Sequence, residues 1–126
     1  PDRIEAGTYM VAVAATHGDA VLKNVRPDHL RNPIAKLTAA GIAVDVTDNT
    51  VHVKATNGIQ SVDIETAPYP GFPTDLQAQF MALMTQADGV ALIKETIFEN
   101  RFVTYSNSYI VDCRASAPQL ICAGRG

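Results

Sequence analysis

Gly18-Asp-Ala-Val-Leu-Lys23 recurs as Gly89-Val-Ala-Leu-Ile-Lys94, at an offset of 71 residues. Each copy begins with a glycine that can end a helix and continues with residues typical of a buried strand. Repetition at a long, fixed spacing is typical of a fold built from similar units. The repeat therefore predicts an α/β fold in which the same helix–strand joint is used at least twice.

The segment before the first joint is predicted to be a helix. Asp2 can cap its start, and Glu5, three residues later, can bond back to the capping residue. From Thr8 to Ala15 the residues are nearly all apolar, and the valines alone would also permit a strand. The cap and the alanines favour a helix, and a helix that is apolar all round is expected to be buried all round.

The region between the two joints predicts a strand, a helix and a hairpin. The strand covers Ala20 to Val25, and Pro27-Asp28 then opens a helix that Gly41 stops. Pro33 is a flaw within this helix, because proline removes a hydrogen bond and bends the axis. Alternating valines from Val44 to Val53 predict two paired strands.

The second joint has its own helix and strand. Asn57-Gly58 turns the chain into an extended segment, Ile59 to Glu65. Thr74 with Gln77 three residues later resembles a capping box at the start of a helix. Gly89 closes that helix and Val90 to Thr96 is the following strand. The apolar face of the helix is predicted to comprise Leu76, Phe80, Leu83, Met84 and Ala87.

A third copy of the unit is predicted to begin at Asp112-Cys-Arg-Ala-Ser-Ala and to end at Ala123-Gly124. Each copy then has an aspartate at or near a helix start, namely Asp2, Asp75 and Asp112. If three helix starts met at one place, they could form a mouth for phosphate together with Arg3, Arg101 and Arg114. The alternative is that these aspartates are ordinary first-turn acids, each stabilising its helix by about 0.3–1 kcal/mol.

Composition and charge exclude several classes of function. The 126 residues are 47% apolar and 18% charged, as in one globular domain or part of one. A net charge of −3 argues against a nucleic-acid or anionic-membrane surface. Neither a membrane-spanning run nor a secretion signal is recognisable, so a cytoplasmic protein is expected.

The sequence predicts neither a metal site nor a cofactor. Cys113 and Cys122 match no common zinc or redox spacing and are expected to be reduced thiols rather than a disulfide. The three histidines, His17, His29 and His52, fall in separate elements and are expected to lie on the surface. The chain also lacks a glycine-rich phosphate loop and the common hydrolase and metalloprotease motifs.

Four stretches of the chain closely resemble the UDP-N-acetylglucosamine enolpyruvyl transferases. They are Asp2-Arg-Ile-Glu-Ala-Gly-Thr-Tyr, Thr66-Ala-Pro-Tyr-Pro-Gly-Phe-Pro-Thr-Asp-Leu-Gln-Ala-Gln-Phe80, Glu95-Thr-Ile-Phe-Glu-Asn-Arg-Phe102 and Asp112-Cys-Arg-Ala-Ser-Ala. The resemblance implies an inside-out α/β barrel of βαβαββ units, with buried helices and exposed sheets. It further implies transfer of the enolpyruvyl group of phosphoenolpyruvate to the 3-hydroxyl of UDP-N-acetylglucosamine, a step toward peptidoglycan.

The resemblance also assigns roles to individual residues. Asp75 matches the aspartate beside the sugar 3-hydroxyl, where a carboxylate can accept a proton. Ile97 matches a position whose backbone holds the nucleotide sugar, and Arg114 matches an arginine near phosphoenolpyruvate. The other predicted substrate-binding residues are Glu99, Arg101 and Asp112.

The chain departs from the family pattern in length. It resembles the beginning and middle of the second of two domains, with a first unit at 1–66, a shortened second unit at 67–111 and the start of a third at 112–126. The family's reactive cysteine lies in the other domain, and neither cysteine here takes its place. We therefore expect the chain to be a part of the transferase that is inactive alone and requires the missing domain or self-association. The alternatives are a non-catalytic binding or structural module with the same fold, and the sister enzyme that makes enolpyruvylshikimate phosphate.

Overall fold

The computed structural model describes residues 2–55, 58–95, 107–112 and 119–123. Three helices are present in these ranges: α1 (Arg3–Ala15), α2 (Arg31–Ala39) and α3 (Gln77–Met84). Short 3-10 turns, Pro27–His29 and Thr74–Leu76, precede α2 and α3. The strands are β1 (Asp19–Lys23), β2 (Ala43–Val46), β3 (Thr50–Lys54), β4 (Ile64–Glu65), β5 (Val90–Glu95), β6 (Asn107–Asp112) and β7 (Gln119–Ala123).

The strands form two sheets that the helices connect. The first sheet has the order β1-β3-β2 and is antiparallel throughout. The second has the order β4-β5-β6-β7, with β4 parallel to β5 and the other pairs antiparallel. Helix α1 contacts β1, β3 and α3, and α3 contacts β5. The core therefore lies around the two helices, and within the described residues neither sheet closes into a barrel.

The predicted repeat is present as a repeated helix–strand joint. Helix α1 leads into β1, and the turn at Thr74–Leu76 with α3 leads into β5, at the offset seen in the sequence. The two helices also touch at equivalent positions. Gln79 Nε2 donates a hydrogen bond to Thr8 Oγ1 at 3.0 Å, and Thr8 Oγ1 donates to the Ile4 carbonyl at 2.8 Å. The two helices thus contact each other at positions that are equivalent in the repeat.

Helix α1 begins as its sequence predicts. Asp2 has an extended backbone, and its carboxylate accepts a hydrogen bond of 2.8 Å from the Ile4 amide. This bond satisfies one of the free amides at the start of the helix. The helix is not buried all round, however, because Tyr9 is 59% exposed and Ala12 is also exposed. Only the side formed by Ala6, Gly7, Met10, Val11 and Ala14 is buried.

The end of α1 differs from the prediction by one residue. His17, not Gly18, takes the left-handed conformation with φ of 55°. The Gly18 amide then bonds the Val13 carbonyl and the His17 amide bonds that of Ala14, which is a Schellman ending. At the end of α2 the predicted glycine does take this position, since Gly41 has φ of 92° and Ile42 bonds back to Leu37.

Two predicted helix starts are also displaced. Helix α2 begins at Arg31, so Pro33 lies in the first turn, where its missing amide proton removes no intrahelical bond. The helix predicted to begin at Thr74 begins instead with the 3-10 turn Thr74–Leu76, and α3 follows from Gln77. The predicted apolar face of α3 is confirmed, since all five of its residues are buried.

The helix expected after Asp112 is not formed where the structure describes the chain. Asp112 is the last residue of β6, and Gln119–Ala123 is the strand β7 paired with it. Extended backbone in this region lets residues 119–123 continue the hydrogen-bonding ladder of the second sheet. Residues 113–118, which include Cys113, lie outside the described residues.

Gly7 sets how closely α1 approaches the turn at Thr74–Leu76. A methyl group added at Gly7 would lie 2.5 Å from Leu76 Cδ1, 3.1 Å from Cδ2 and 3.4 Å from Cγ. Leu76 is fully buried, so its side chain has little room to move away from an added methyl group. A larger residue at position 7 would have to displace the buried Leu76 side chain or separate α1 from this turn.

We predict that Gly7→Ala lowers the free energy of unfolding by about 1–2 kcal/mol. Overpacking typically costs about 1–3 kcal/mol, and the better helix propensity of alanine recovers about 1 kcal/mol at most. Urea denaturation measures the change. In the double variant Gly7→Ala/Leu76→Ala the loss should be smaller than the sum of the single losses; strict additivity would contradict this contact.

Candidate functional site

The loop 66–73 is fixed to the second sheet at its beginning. Thr66 is fully buried and its amide donates a hydrogen bond of 2.9 Å to the carbonyl of Lys94 in β5. The Ala67 amide bonds the Phe72 carbonyl at 3.0 Å, which brings the two ends of the loop together. The Gly71 amide bonds the Pro68 carbonyl at 2.8 Å and closes a turn within it. The Tyr69–Pro70 peptide bond in this turn is cis.

The end of the loop is fixed to the core by aromatic packing. Phe72 is buried, and its ring meets that of Phe80 in α3 edge to face, with centroids 5.4 Å apart. Such a pair stabilises by about 0.5–1.5 kcal/mol beyond the area it buries. Pro73 is also buried and leads directly into the 3-10 turn, in which the Leu76 amide bonds the Pro73 carbonyl. The end of the loop and this turn are therefore both packed against the core.

Asp75 stands exposed on this support. It is the central residue of the 3-10 turn, between half-buried Thr74 and buried Leu76. Among the side chains that the structure describes, its carboxylate has no hydrogen-bond or ion-pair partner. A carboxylate that is held by its backbone but unpaired can accept a hydrogen bond from a ligand hydroxyl. Of the predicted site residues, Asp75 and Asp112 lie within the described ranges, and the role of Asp75 stays a prediction.

Arg3 is the predicted cation that the structure brings to this loop. Its guanidinium carbon lies 5.2 Å from the centre of the Tyr69 ring, within the range of a cation–π contact. The ring of His29 meets the same tyrosine edge-on at 6.1 Å. Both contacts were missed from the sequence, where His29 reads only as a surface histidine. In the sequence, a tyrosine between prolines and an arginine at a helix start give only a weak indication that the two side chains meet.

A charged pair lies beside His29. Arg26 Nε and Nη2 bond the two carboxylate oxygens of Asp28 at 3.2 and 3.1 Å. The hydrogen bond from Arg26 lowers the pKa of Asp28, and the same bond raises the pKa of Arg26. Both side chains are well exposed, so solvent screens the pair and its contribution to stability is small.

Asp112 is placed away from the loop. In the antiparallel pairing of β5 with β6, Asp112 is opposite Val90, at the beginning of β5. The loop leaves the sheet beside Lys94, at the other end of the same strand. Four residues of strand span roughly 13 Å. The structure therefore does not bring the backbone of Asp112 together with the start of the loop, and its role in substrate binding stays a prediction.

The remaining predicted site residues, Ile97, Glu99, Arg101 and Arg114, lie outside the described residues. Their assignments stay predictions. Within the described ranges no three histidine, cysteine, aspartate or glutamate side chains are grouped as metal ligands. No helix in those ranges has both the length and the apolar character needed to cross a membrane.

A family model described as EPSP synthase (3-phosphoshikimate 1-carboxyvinyltransferase) matches residues 1–107. The chain belongs to this family. It is 57% identical over 102 residues to UDP-N-acetylglucosamine 1-carboxyvinyltransferase of Desulfofundulus thermocisternus, a match that covers 81% of this chain and 42% of that protein. Over its full length it is 50% identical to the enzyme of the same name from Desulfatibacillum aliphaticivorans and covers 30% of it.

The fold has a solved counterpart among the enolpyruvyl transferases. The crystal structure of the enolpyruvyl transferase NikO from Streptomyces tendae matches with a TM-score of 0.67 at 24% identity, over 81% of this chain and 25% of that one. The predicted resemblance to UDP-N-acetylglucosamine enolpyruvyl transferases is thus confirmed, as is the mixed helix and strand fold. The chain spans less than half the length of these relatives.

Gly71 offers a direct test of how tightly the loop is packed. A methyl group at this position would lie 2.5 Å from Ala67 Cβ and 3.1 Å from the Pro68 carbonyl oxygen. We predict that Gly71→Ala lowers the free energy of unfolding by about 1–3 kcal/mol, because a backbone oxygen cannot rotate away.

Urea denaturation of Gly71→Ala beside Gly18→Ala provides the measurement and its control. At Gly18 the nearest atom to an added methyl group is 3.4 Å away, so the change there should be small. Equal losses at the two glycines would show that the loop is not closely packed around position 71.

Proposed function

We propose that this chain is a part of UDP-N-acetylglucosamine 1-carboxyvinyltransferase that carries the sugar-binding side of its active site. The single observation that best supports this is Asp75, an exposed carboxylate on a turn flanked by buried Pro73 and Leu76, within a chain 57% identical to an enzyme of that name. The substrates would be UDP-N-acetylglucosamine and phosphoenolpyruvate, the process peptidoglycan synthesis, and the compartment the cytoplasm.

In this proposal Asp75 acts on the 3-hydroxyl of the sugar. Its carboxylate accepts a hydrogen bond from the hydroxyl and takes the proton as the oxygen attacks the enolpyruvyl carbon. As the sugar oxygen bonds to C2 of phosphoenolpyruvate, the C2=C3 double bond opens and C3 takes up a proton. Loss of a proton from C3 then restores the double bond as the C2–O bond to phosphate breaks and phosphate leaves. Ile97 would hold the nucleotide sugar by its backbone and Arg114 would lie near phosphoenolpyruvate, while Glu99, Arg101 and Asp112 would line the cleft.

The overall architecture proposed is part of an inside-out α/β barrel. Support comes from α1 and α3, which contact each other and connect the two sheets. The predicted unit boundaries, 1–66, 67–111 and 112–126, fit this proposal in the first two units, because the same helix–strand joint occurs in both. The remaining part of the relatives' length would supply the other side of the cleft. We therefore propose that this chain binds nucleotide sugar weakly and does not turn over alone.

We predict that Asp75→Ala weakens binding of UDP-N-acetylglucosamine to the chain by about 10- to 100-fold. A hydrogen bond to a charged group contributes about 1.5–3 kcal/mol, and 1.4 kcal/mol corresponds to a factor of ten. Isothermal titration calorimetry with UDP-N-acetylglucosamine measures the dissociation constant. Asp45→Ala, which removes an exposed aspartate from β2, is the control and should bind like the unaltered chain.

Two other outcomes would change the proposal. Equal weakening in Asp75→Ala and Asp45→Ala would remove Asp75 from the site, and no binding by the unaltered chain would favour a structural module. Sustained release of phosphate from phosphoenolpyruvate and UDP-N-acetylglucosamine by the 126-residue chain would contradict the view that it does not turn over alone.

A further inference from the structure

Tyr69 makes contacts that its exposure would not suggest. Its side chain is 57% exposed at the outer limb of the loop, between Pro68 and Pro70. Even so, the Arg3 guanidinium lies over its ring at 5.2 Å, and the His29 ring meets it edge-on at 6.1 Å with an interplanar angle of 89°. We call these three residues, Arg3, His29 and Tyr69, the Tyr69 clamp.

The clamp joins three elements that are distant in sequence. Arg3 is the first residue of α1, His29 ends the 3-10 turn before α2, and Tyr69 is in the loop before Asp75. The Ala67 and Gly71 amides donate to carbonyls within the loop, those of Phe72 and Pro68. Within residues 68–70, Tyr69 makes the aromatic and cation contacts to other described elements, through His29 and Arg3. Without the Tyr69 side chain, residues 68–70 would lose these contacts to α1 and to the turn before α2.

The same helix also contacts the turn that carries Asp75. Gly7, one turn after Arg3, allows α1 to approach Leu76 closely, and α1 and this turn are in contact. Helix α1 therefore touches the loop on one side of Asp75 through Arg3 and the turn on the other side through Gly7. Movement of the loop relative to α1 would change the position of the carboxylate between them.

We propose that the Tyr69 clamp is a positioning device, in which Arg3 and Tyr69 hold the loop so that Asp75 is presented to the sugar. The proposal rests on the function proposed above for Asp75, but the holding of the loop is a property of the chain without ligand. A charge on the face of an aromatic ring and an edge-on aromatic neighbour favour one orientation of that ring. Arg3 has no carboxylate partner within the described residues, so its charge is available to the ring.

Amide hydrogen exchange followed by NMR tests the clamp without ligand. We expect Tyr69→Ala to speed exchange about five- to tenfold at the Ala67 and Leu76 amides, which bond Phe72 and Pro73. Tyr69→Phe keeps the ring and should exchange at the unaltered rate. Tyr9→Ala is the matched control, because Tyr9 is 59% exposed on α1 and makes no aromatic or cation contact within the described residues. Tyr9→Ala should leave the exchange rates of both amides unchanged.

Binding of UDP-N-acetylglucosamine, measured by calorimetry on the same variants, separates positioning from mere support. We expect Tyr69→Ala to raise the dissociation constant at least fivefold, Tyr69→Phe to restore it and Tyr9→Ala not to alter it. Faster exchange with an unaltered dissociation constant would overturn the positioning role, and unaltered exchange in Tyr69→Ala would overturn the clamp itself. If the unaltered chain bound no sugar nucleotide, the proposed function and the positioning role would both fail, while the exchange rates would still decide whether the clamp holds the loop.

Discussion

The fold is organised around the close approach of α1 to the turn at Thr74–Leu76. This approach requires a residue without a side chain at position 7, because Leu76 fills the space beside the helix. It also places Thr8 within hydrogen-bonding distance of Gln79, its counterpart in the repeated joint. Since α1 contacts the first sheet and α3 the second, this contact determines how the two halves of the core meet.

The candidate site depends on the same contact. Asp75 belongs to the turn that α1 approaches, and the preceding loop is fixed by Thr66 to β5 and by Phe72 to Phe80. These contacts hold the backbone of Asp75 before any ligand binds. Little backbone conformational freedom is then lost when the carboxylate binds a hydroxyl, so more of the interaction energy contributes to affinity. The packing of the core and the proposed role of Asp75 therefore both depend on the contact between α1 and this turn.

Much of this arrangement could be predicted from the sequence. The repeated joint, the cap at Asp2, the hairpin and the buried face of α3 follow from spacing and residue type, and all are confirmed. The family could be recognised because four motifs occur in order. Asp75 could be singled out for the same reason, although its role depends on the resemblance and not on spacing.

Other features of the structure could not be predicted from the sequence, some for local reasons and some for tertiary ones. His17 instead of Gly18 takes the left-handed position, because the Schellman bonds at the end of α1 place the glycine one residue later. Pro33 is tolerated because α2 begins only two residues before it. Residues 119–123 extend the second sheet because β6 offers them a pairing edge, which no local pattern reveals. The contact between Arg3 and Tyr69 joins residues far apart in sequence, and only the tertiary fold brings them together.

The central claim is that this chain presents Asp75 as one side of a nucleotide-sugar site. An NMR titration of the chain with UDP-N-acetylglucosamine, followed through backbone amide shifts, tests it most directly. We expect the shift changes to concentrate in the loop and the turn, from Thr66 to Gln77, and the amide shifts of the first sheet to stay unchanged. Shift changes confined to β1, β2 and β3, or none at saturating concentrations of sugar nucleotide, would contradict it.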